Sequence, residues 1–283
     1  MAMYKFIADN VVVFDVEWVP DPASGRRIYK LPDTASDNDV LEVMWREGGA
    51  TPEDPQPYLK TVMCRIVSIA AVVRKKVRSD VRLEFVSLPG LKDGVQAEGE
   101  IIRRFLEAVG NLGAQLVGFN SSNADLPILY QRALANRVTA PTFCHRPEKP
   151  WEGADYFNRY SDFNIDLKNE LCGFGKATPS LNELAASLGI PGKLGTVGAD
   201  VVNLWCSGDI RKIFEYNQFD ALSTYLVWLR TAYFSGRLTE DAFVREEQLL
   251  EARLDQEIRD GSVHLTLFLD EWKRLRFMTA GRK

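Results

Sequence analysis

Histidine is nearly absent from these 283 residues: only His145 and His264 occur. Cysteine is sparse as well, with Cys64, Cys144, Cys172 and Cys206 standing singly and no Cys-x-x-Cys pair. That combination argues against a structural zinc site and leaves reduced core thiols as the expected state. No apolar stretch approaches the length of a membrane span, and the N-terminus has no charged-then-apolar leader, so a cytoplasmic protein with no membrane association is expected. There is no excess of positive charge either. A net charge of −4 argues against indiscriminate coating of nucleic acid and gives more weight to local clusters. Internal repeats and low-complexity segments are missing too.

What is present is a chain with 46% hydrophobic residues, enough to bury a substantial core. Its organising stretch is Val11-Val12-Val13-Phe14-Asp15-Val16-Glu17-Trp18. A run so rich in β-branched residues reads as a central strand buried on both faces. Side chains alternate along a strand, so Asp15 and Glu17 project from one side, two positions apart. Two carboxylates so placed repel each other and lose hydration unless a cation lies between them. The alternative is a strand end already in solvent, where both acids are hydrated.

Pro20 and Pro22 interrupt the pattern, and residues 19–60 read as an insertion loop holding one short helix over 39–46. Residues 62–73 and 82–88 form two more strands joined by a charged tip, completing an antiparallel meander. Residues 99–109 have helical spacing, with Ile101, Ile102, Phe105, Leu106 and Val109 on one side. Gln115 to Phe119 is a short buried strand running into Asn120-Ser121-Ser122-Asn123-Ala124-Asp125-Leu126-Pro127, after which 128–136 is helical. Pro127 suits the first turn of that helix, and Asp125 falls at a strand-to-helix junction, where sites form in α/β folds.

Residues 139–163 read as loop, and 165–167 as a last strand. Ser180 and Glu183 form a capping box for a helix ending at Gly189, followed by a glycine-rich loop that starts at Lys193. Asp209 is placed to cap a helix over 210–234, on which Tyr216 and Asp220 share a face one turn apart. Residues 240–274 supply two further helices with a break near Gly261. The expected division is one domain over 1–235, with 19–60 inserted, and a C-terminal helical extension over 236–283.

Phe14-Asp15-Val16-Glu17, then Gly118-Phe119-Asn120 through Asp125-Leu126-Pro127 with Arg132 on the next helix, then Tyr216-Asn217-Gln218-Phe219-Asp220-Ala221 stand in a defined order. Together they resemble the three motifs of the DEDD superfamily of 3′-5′ exonucleases, in the subgroup with Tyr-x-x-x-Asp as third motif. They are most similar to the proofreading domain of family-B DNA polymerases and its stand-alone bacterial relatives. Glu215, five before Asp220, excludes the histidine form of the third motif. Ala124 and Trp18 depart from the pattern, which often has an aromatic and a small polar residue there. Nothing resembles a polymerase active site.

The resemblance implies a ribonuclease H-like α/β fold, a mixed five-stranded sheet flanked by helices. It implies two divalent cations, Mg²⁺ or Mn²⁺, held by Asp15, Glu17, Asp125 and Asp220, with Tyr216 orienting the attacking water. Such oxygen-rich sites suit hard cations. The implied partner is the 3′ end of a nucleic acid, single-stranded or mispaired DNA being favoured and RNA also possible. Trp18 and Phe119 are candidates for stacking on terminal bases, Asn120 for the sugar or backbone near the 3′ end, and Lys193 for a phosphate. For these four the competing readings are core aromatics, a turn asparagine and an ordinary loop lysine. Asp166 reads as an outer acid or a plain strand-end acid. An exoribonuclease and a catalytically inactive nucleic-acid-binding module are the alternatives, and the C-terminal helices are open to a protein partner.

Overall fold

The computed structural model describes residues 5–149, 151–158, 161–173, 175, 177–192, 194–195 and 200–280. The organising run is β1, Asn10–Pro20. The insertion follows as α1, Pro22–Tyr29, and α2, Asp37–Glu47. Then come β2, Cys64–Val77, β3, Asp80–Leu88, α3, Glu98–Leu112, β4, Gln115–Gly118, and α4, Asp125–Ala135. A short α5, Pro141–Cys144, precedes β5, Asn164–Asp166, α6, Leu167–Leu171, α7, Leu181–Ser187, and α8, Val201–Ser207. The chain finishes with α9, Ile210–Phe234, α10, Glu240–Arg259, and α11, Leu265–Ala280.

The strands form one mixed sheet in the order β3-β2-β1-β4-β5. β1 pairs antiparallel with β2 and parallel with β4, and β5 runs parallel to β4. This is the five-stranded α/β arrangement, ribonuclease H-like, that the resemblance implied. Strand alternation divides β1 between two layers. Val12, Phe14 and Val16 pack with α3 and α4 on one face, whereas Val11 and Val13 pack with α9, α10 and α11 on the other. Asp15 and Glu17 have the parity of Val11 and Val13, so β1 presents them toward α9.

The insertion is more ordered than expected. Pro22 does not break structure there; it opens α1 at N1, where a missing N–H is harmless. Asp21 caps the helix, accepting from the backbone N–H of Ala23 (3.3 Å) and Ser24 (3.2 Å). The second helix is close to the expected one, with a capping box between Ser36 and Asp39. The two helices touch at Gly25, where a Cβ would lie 2.4 Å from the Met44 sulfur. Within the insertion, Arg26 is engaged internally, with Asp37 and the Ala35 carbonyl.

Two buried arginines fasten the layers to the sheet. Arg132 on α4 forms a forked pair with Glu98 on α3 (2.6 and 2.8 Å) and reaches Asp21 at 3.1 Å. Glu98 also accepts from the backbone N–H of Ile66 on β2. On the other face Arg74 of β2 forms a forked pair with Glu246 of α10 (2.6 and 2.8 Å), to which Tyr225 of α9 also donates. The residues after 235 contribute Leu250, Leu254, Phe268 and Trp272 to the same buried layer as α9. Of the cysteines only Cys64 is buried; Cys144 and Cys206 are exposed, since both fall at the ends of short helices rather than in the core. Asp209 precedes α9, but its carboxylate meets the Lys212 ammonium instead of capping the helix. No helix among the described residues is long and apolar enough to cross a membrane.

Candidate active site

The acids meet where β1 faces α9. Oxygen atoms of Asp15, Glu17 and Asp220 all lie within 4.8 Å of one another. Helical spacing puts Tyr216 one turn before Asp220, so α9 delivers its phenol and its carboxylate to the same side. Asp125 joins from the first turn of α4. Its Oδ1 accepts from the backbone N–H of Val16 at 3.1 Å, which pins that carboxylate to β1 between Asp15 and Glu17. A helix N-terminus also favours a negative charge there.

Two outer contacts hold these acids in place. Asn217, one residue after Tyr216 and fully buried, donates from Nδ2 to Asp15 Oδ2 at 2.7 Å. Its Oδ1 in turn accepts from the Ser68 hydroxyl of β2 at 2.9 Å. The second contact is made by Asp166 at the end of β5. It accepts from the backbone N–H groups of Asn120 (2.8 Å) and Ser122 (3.0 Å), shaping the loop that leads to Asp125. Asn120 adopts a left-handed φ of 64° in this loop, a conformation asparagine tolerates better than most residues.

Crowded carboxylates in a desolvated setting hold protons tightly. Burial, then Asp125, Glu17 and Asp220, push the Asp15 carboxyl well above its ordinary range, while the Asn217 amide pulls it down. Glu17 is raised well above its range by burial and then by Asp220 and Asp125. Asp125 is raised to about 7, chiefly by burial and against the Val16 N–H. Burial and the adjoining Asp220 carboxylate push the Tyr216 phenol far above its usual range, so it stays protonated.

Three of these acids, Asp15, Glu17 and Asp125, border a cavity of about 570 Å³. Trp18, Phe119 and Asn120, the proposed substrate contacts, all line it with Asp15, Glu17 and Asp125. Lys193 lies outside the described residues.

Residues 56–272 match the family described as "Predicted 3'-5' exonuclease related to the exonuclease domain of PolB". The chain belongs to this family. No curated protein matches it. Among solved structures it is similar to the family B DNA polymerase from the hyperthermophilic archaeon Pyrobaculum calidifontis, at 18% identity and a TM-score of 0.44, covering 89% of this chain and 29% of the polymerase.

In this PolB-related exonuclease the matched stretch contains Asp125, Tyr216 and Asp220, and the fold brings β1 with Asp15 and Glu17 to them. The donor set consists of carboxylate oxygens, which fits a hard divalent cation and explains why so many acids share one desolvated place. Asn217 was not singled out in the sequence. Its signal was its position three before Asp220, on the same helical face, but its partners Ser68 and Asp15 lie far away in the chain. Trp45 and Tyr58, also on the cavity wall, sit in the insertion, where sequence spacing carried no information about direction.

Proposed function

We propose that this protein removes nucleotides stepwise from the 3′ end of DNA, from single-stranded or mispaired ends, by hydrolysing phosphodiester bonds with two divalent cations and releasing nucleoside 5′-monophosphates. The convergence of Asp15, Glu17 and Asp220 within 4.8 Å is the observation that carries this reading. Asp15, Glu17 and Asp220 would hold one cation, and Asp15 with Asp125 the other. When bound, Mg²⁺ or Mn²⁺ would lower the pKa of the attacking water and offset the charge developing on the phosphate.

The remaining roles follow from the side chains. Tyr216 keeps its proton and so positions the attacking water by hydrogen bonding rather than acting as a base. Asn217 and the Val16 N–H orient the Asp15 and Asp125 carboxylates. Trp18, Phe119 and Asn120 face the substrate end, and Lys193 is assigned to a phosphate from its glycine-rich loop alone. A cytoplasmic location is in keeping with this role.

The test is incubation of the purified protein with 5′-labelled single-stranded DNA, and with RNA of the same sequence, in Mg²⁺, Mn²⁺ or chelator, beside Asp15→Ala. The expected result is a ladder of DNA products shortened from the 3′ end with metal, and none with chelator or the variant. Faster shortening of RNA would make the protein an exoribonuclease. Retention of an uncut strand would make it a binding module.

A further inference from the structure

The turn of α9 that carries Tyr216 and Asp220 is gripped on more than one side. With about 100° of rotation per residue, Asn217 and Phe219 flank that pair and Gln218 points away from it. Asn217 meets Asp15. Gln218 and Phe219 are both met by His264, which stands immediately before α11. The Nε2 atom of His264 lies 2.6 Å from Gln218 Oε1. Its ring is tilted against that of Phe219, with centroids 5.9 Å apart, and Phe268 of α11 stacks on the same phenylalanine at 6.0 Å.

An amide oxygen can only accept, so His264 Nε2 carries the proton in this bond. Its Nδ1 is buried with no partner among the described residues, and a second proton there would find no acceptor. Burial also pulls the imidazole below its ordinary range. The ring is therefore a neutral donor aimed at a single acceptor.

The backbone around His264 is fixed. Its carbonyl accepts from the Leu267 N–H at 3.1 Å, and the Leu265 N–H donates to the Ser262 carbonyl at 3.0 Å. Leu265, Phe268 and Trp272 sink α11 into the buried layer that it shares with α9. Two other polar contacts tie α9 to the residues after 235, Tyr225 with Glu246 and Arg230 with Glu247. Both lie beyond Asp220 toward the C-terminal end of α9, whereas His264 reaches the catalytic turn itself. Apolar packing is non-directional and leaves the rotation of a helix about its axis weakly determined; a hydrogen bond has a direction and fixes it.

We propose that His264 is a positioning residue for the reaction: from the C-terminal helices it sets the rotation of α9, and thereby the places of Tyr216 and Asp220 opposite Asp15 and Glu17. This rests on the exonuclease reading above. The C-terminal helices are then part of the catalytic unit.

The experiment separates the hydrogen bond from packing. His264→Phe keeps a ring against Phe219 and removes the donor. His264→Gln returns an N–H donor, and Gln218→Met removes the acceptor. Phe243→Ala is the control, because Phe243 stacks on Tyr233 at 5.0 Å near the far end of α9 and does not touch the catalytic turn. Each full-length variant is assayed on 5′-labelled single-stranded DNA with Mg²⁺ at a temperature where all are folded, and Mn²⁺ affinity is titrated. His264→Phe and Gln218→Met are each expected to lower kcat about tenfold with KM unchanged, short of the roughly hundredfold cost of misplacing a reacting group by about 1 Å. Mn²⁺ affinity should fall in parallel. The double variant should be no worse than either single one, and His264→Gln should recover most of the loss. Phe243→Ala should lower the thermal midpoint and leave kcat alone. An unchanged kcat in His264→Phe and Gln218→Met, a loss that His264→Gln does not recover, or an equal loss in Phe243→Ala would overturn the positioning role while leaving the nuclease reading intact. If the wild type binds Mn²⁺ but cuts nothing, the hydrolysis reading falls, and the same comparisons made on Mn²⁺ affinity decide the positioning role. A wild type without Mn²⁺ affinity overturns both.

Discussion

The side-chain amide of Asn217 donates to Oδ2 of Asp15 across 2.7 Å, joining two residues 202 apart in the chain. Turning the amide over would aim its Oδ1 at the Asp15 carboxylate; as placed, that Oδ1 accepts from the Ser68 hydroxyl at 2.9 Å. Asp15 is thereby held in one orientation, with Oδ2 committed to the amide. The bond also favours the ionised form of a carboxyl that its surroundings otherwise keep protonated.

Outer partners of this kind typically contribute about 10–100-fold to metal affinity. Asn217→Ala is accordingly expected to weaken Mn²⁺ binding by about that factor, read by titration calorimetry on the purified protein. Ser68→Ala should produce a smaller loss in the same direction, since it frees the amide without removing it. Unchanged Mn²⁺ affinity in both variants would reduce Asn217 to a packing residue.

The raised carboxyl groups make stability depend on pH with a defined sign. Asp125 titrates near about 7 in the fold against an ordinary 3.8, and Asp15 and Glu17 are also raised. The folded state therefore binds more protons than the unfolded chain, and stability falls as pH rises from the ordinary carboxyl range through the folded values. In chelator the thermal midpoint should drop between about pH 5 and about pH 8 on account of these groups. Mn²⁺ should restore it, and by more at the higher pH, because binding requires the deprotonated acids. Asp15→Asn should raise the midpoint in chelator at about pH 8 by removing one of the repelling charges. Thermal scans with and without metal check all three.

Arg132 satisfies Glu98 and Asp21 together in the interior. Breaking a buried pair from one side strands the opposite charge, so Arg132→Ala is expected to destabilise the fold by about 3–5 kcal/mol. Arg132→Lys should recover only part, because an ammonium cannot reproduce the forked contact with Glu98. The midpoint and slope of urea unfolding give both numbers.

Much of this arrangement was legible in the sequence because it depends on short-range periodicity. Strand alternation put Asp15 and Glu17 on one side, and helical spacing put Tyr216 and Asp220 on one face; the structure joins these pairs. The capping box at Ser180 and Glu183 forms as expected. The helix α1 was missed because Pro22 looks like a breaker until Asp21 is recognised as its cap. Trp18 keeps the strand period and packs in the layer of Val12, Phe14 and Val16, and its place on the cavity wall depends on the insertion folding beside it. Asn217 on α9 gives no sign of its partner, since Ser68 belongs to β2, 149 residues earlier in the chain. Each of these gaps involves a partner distant in sequence, where local pattern has no reach.

The pairing of an early strand with a late helix also sets when the site can exist. A growing chain that has made β1 but not yet α9 carries Asp15 and Glu17 as separate, hydrated acids with little hold on a divalent ion. Closing a loop of this length is a late and slow event in folding. Metal affinity therefore arrives with the finished fold, and a nascent or partly unfolded chain has no assembled centre with which to attack nearby nucleic acid.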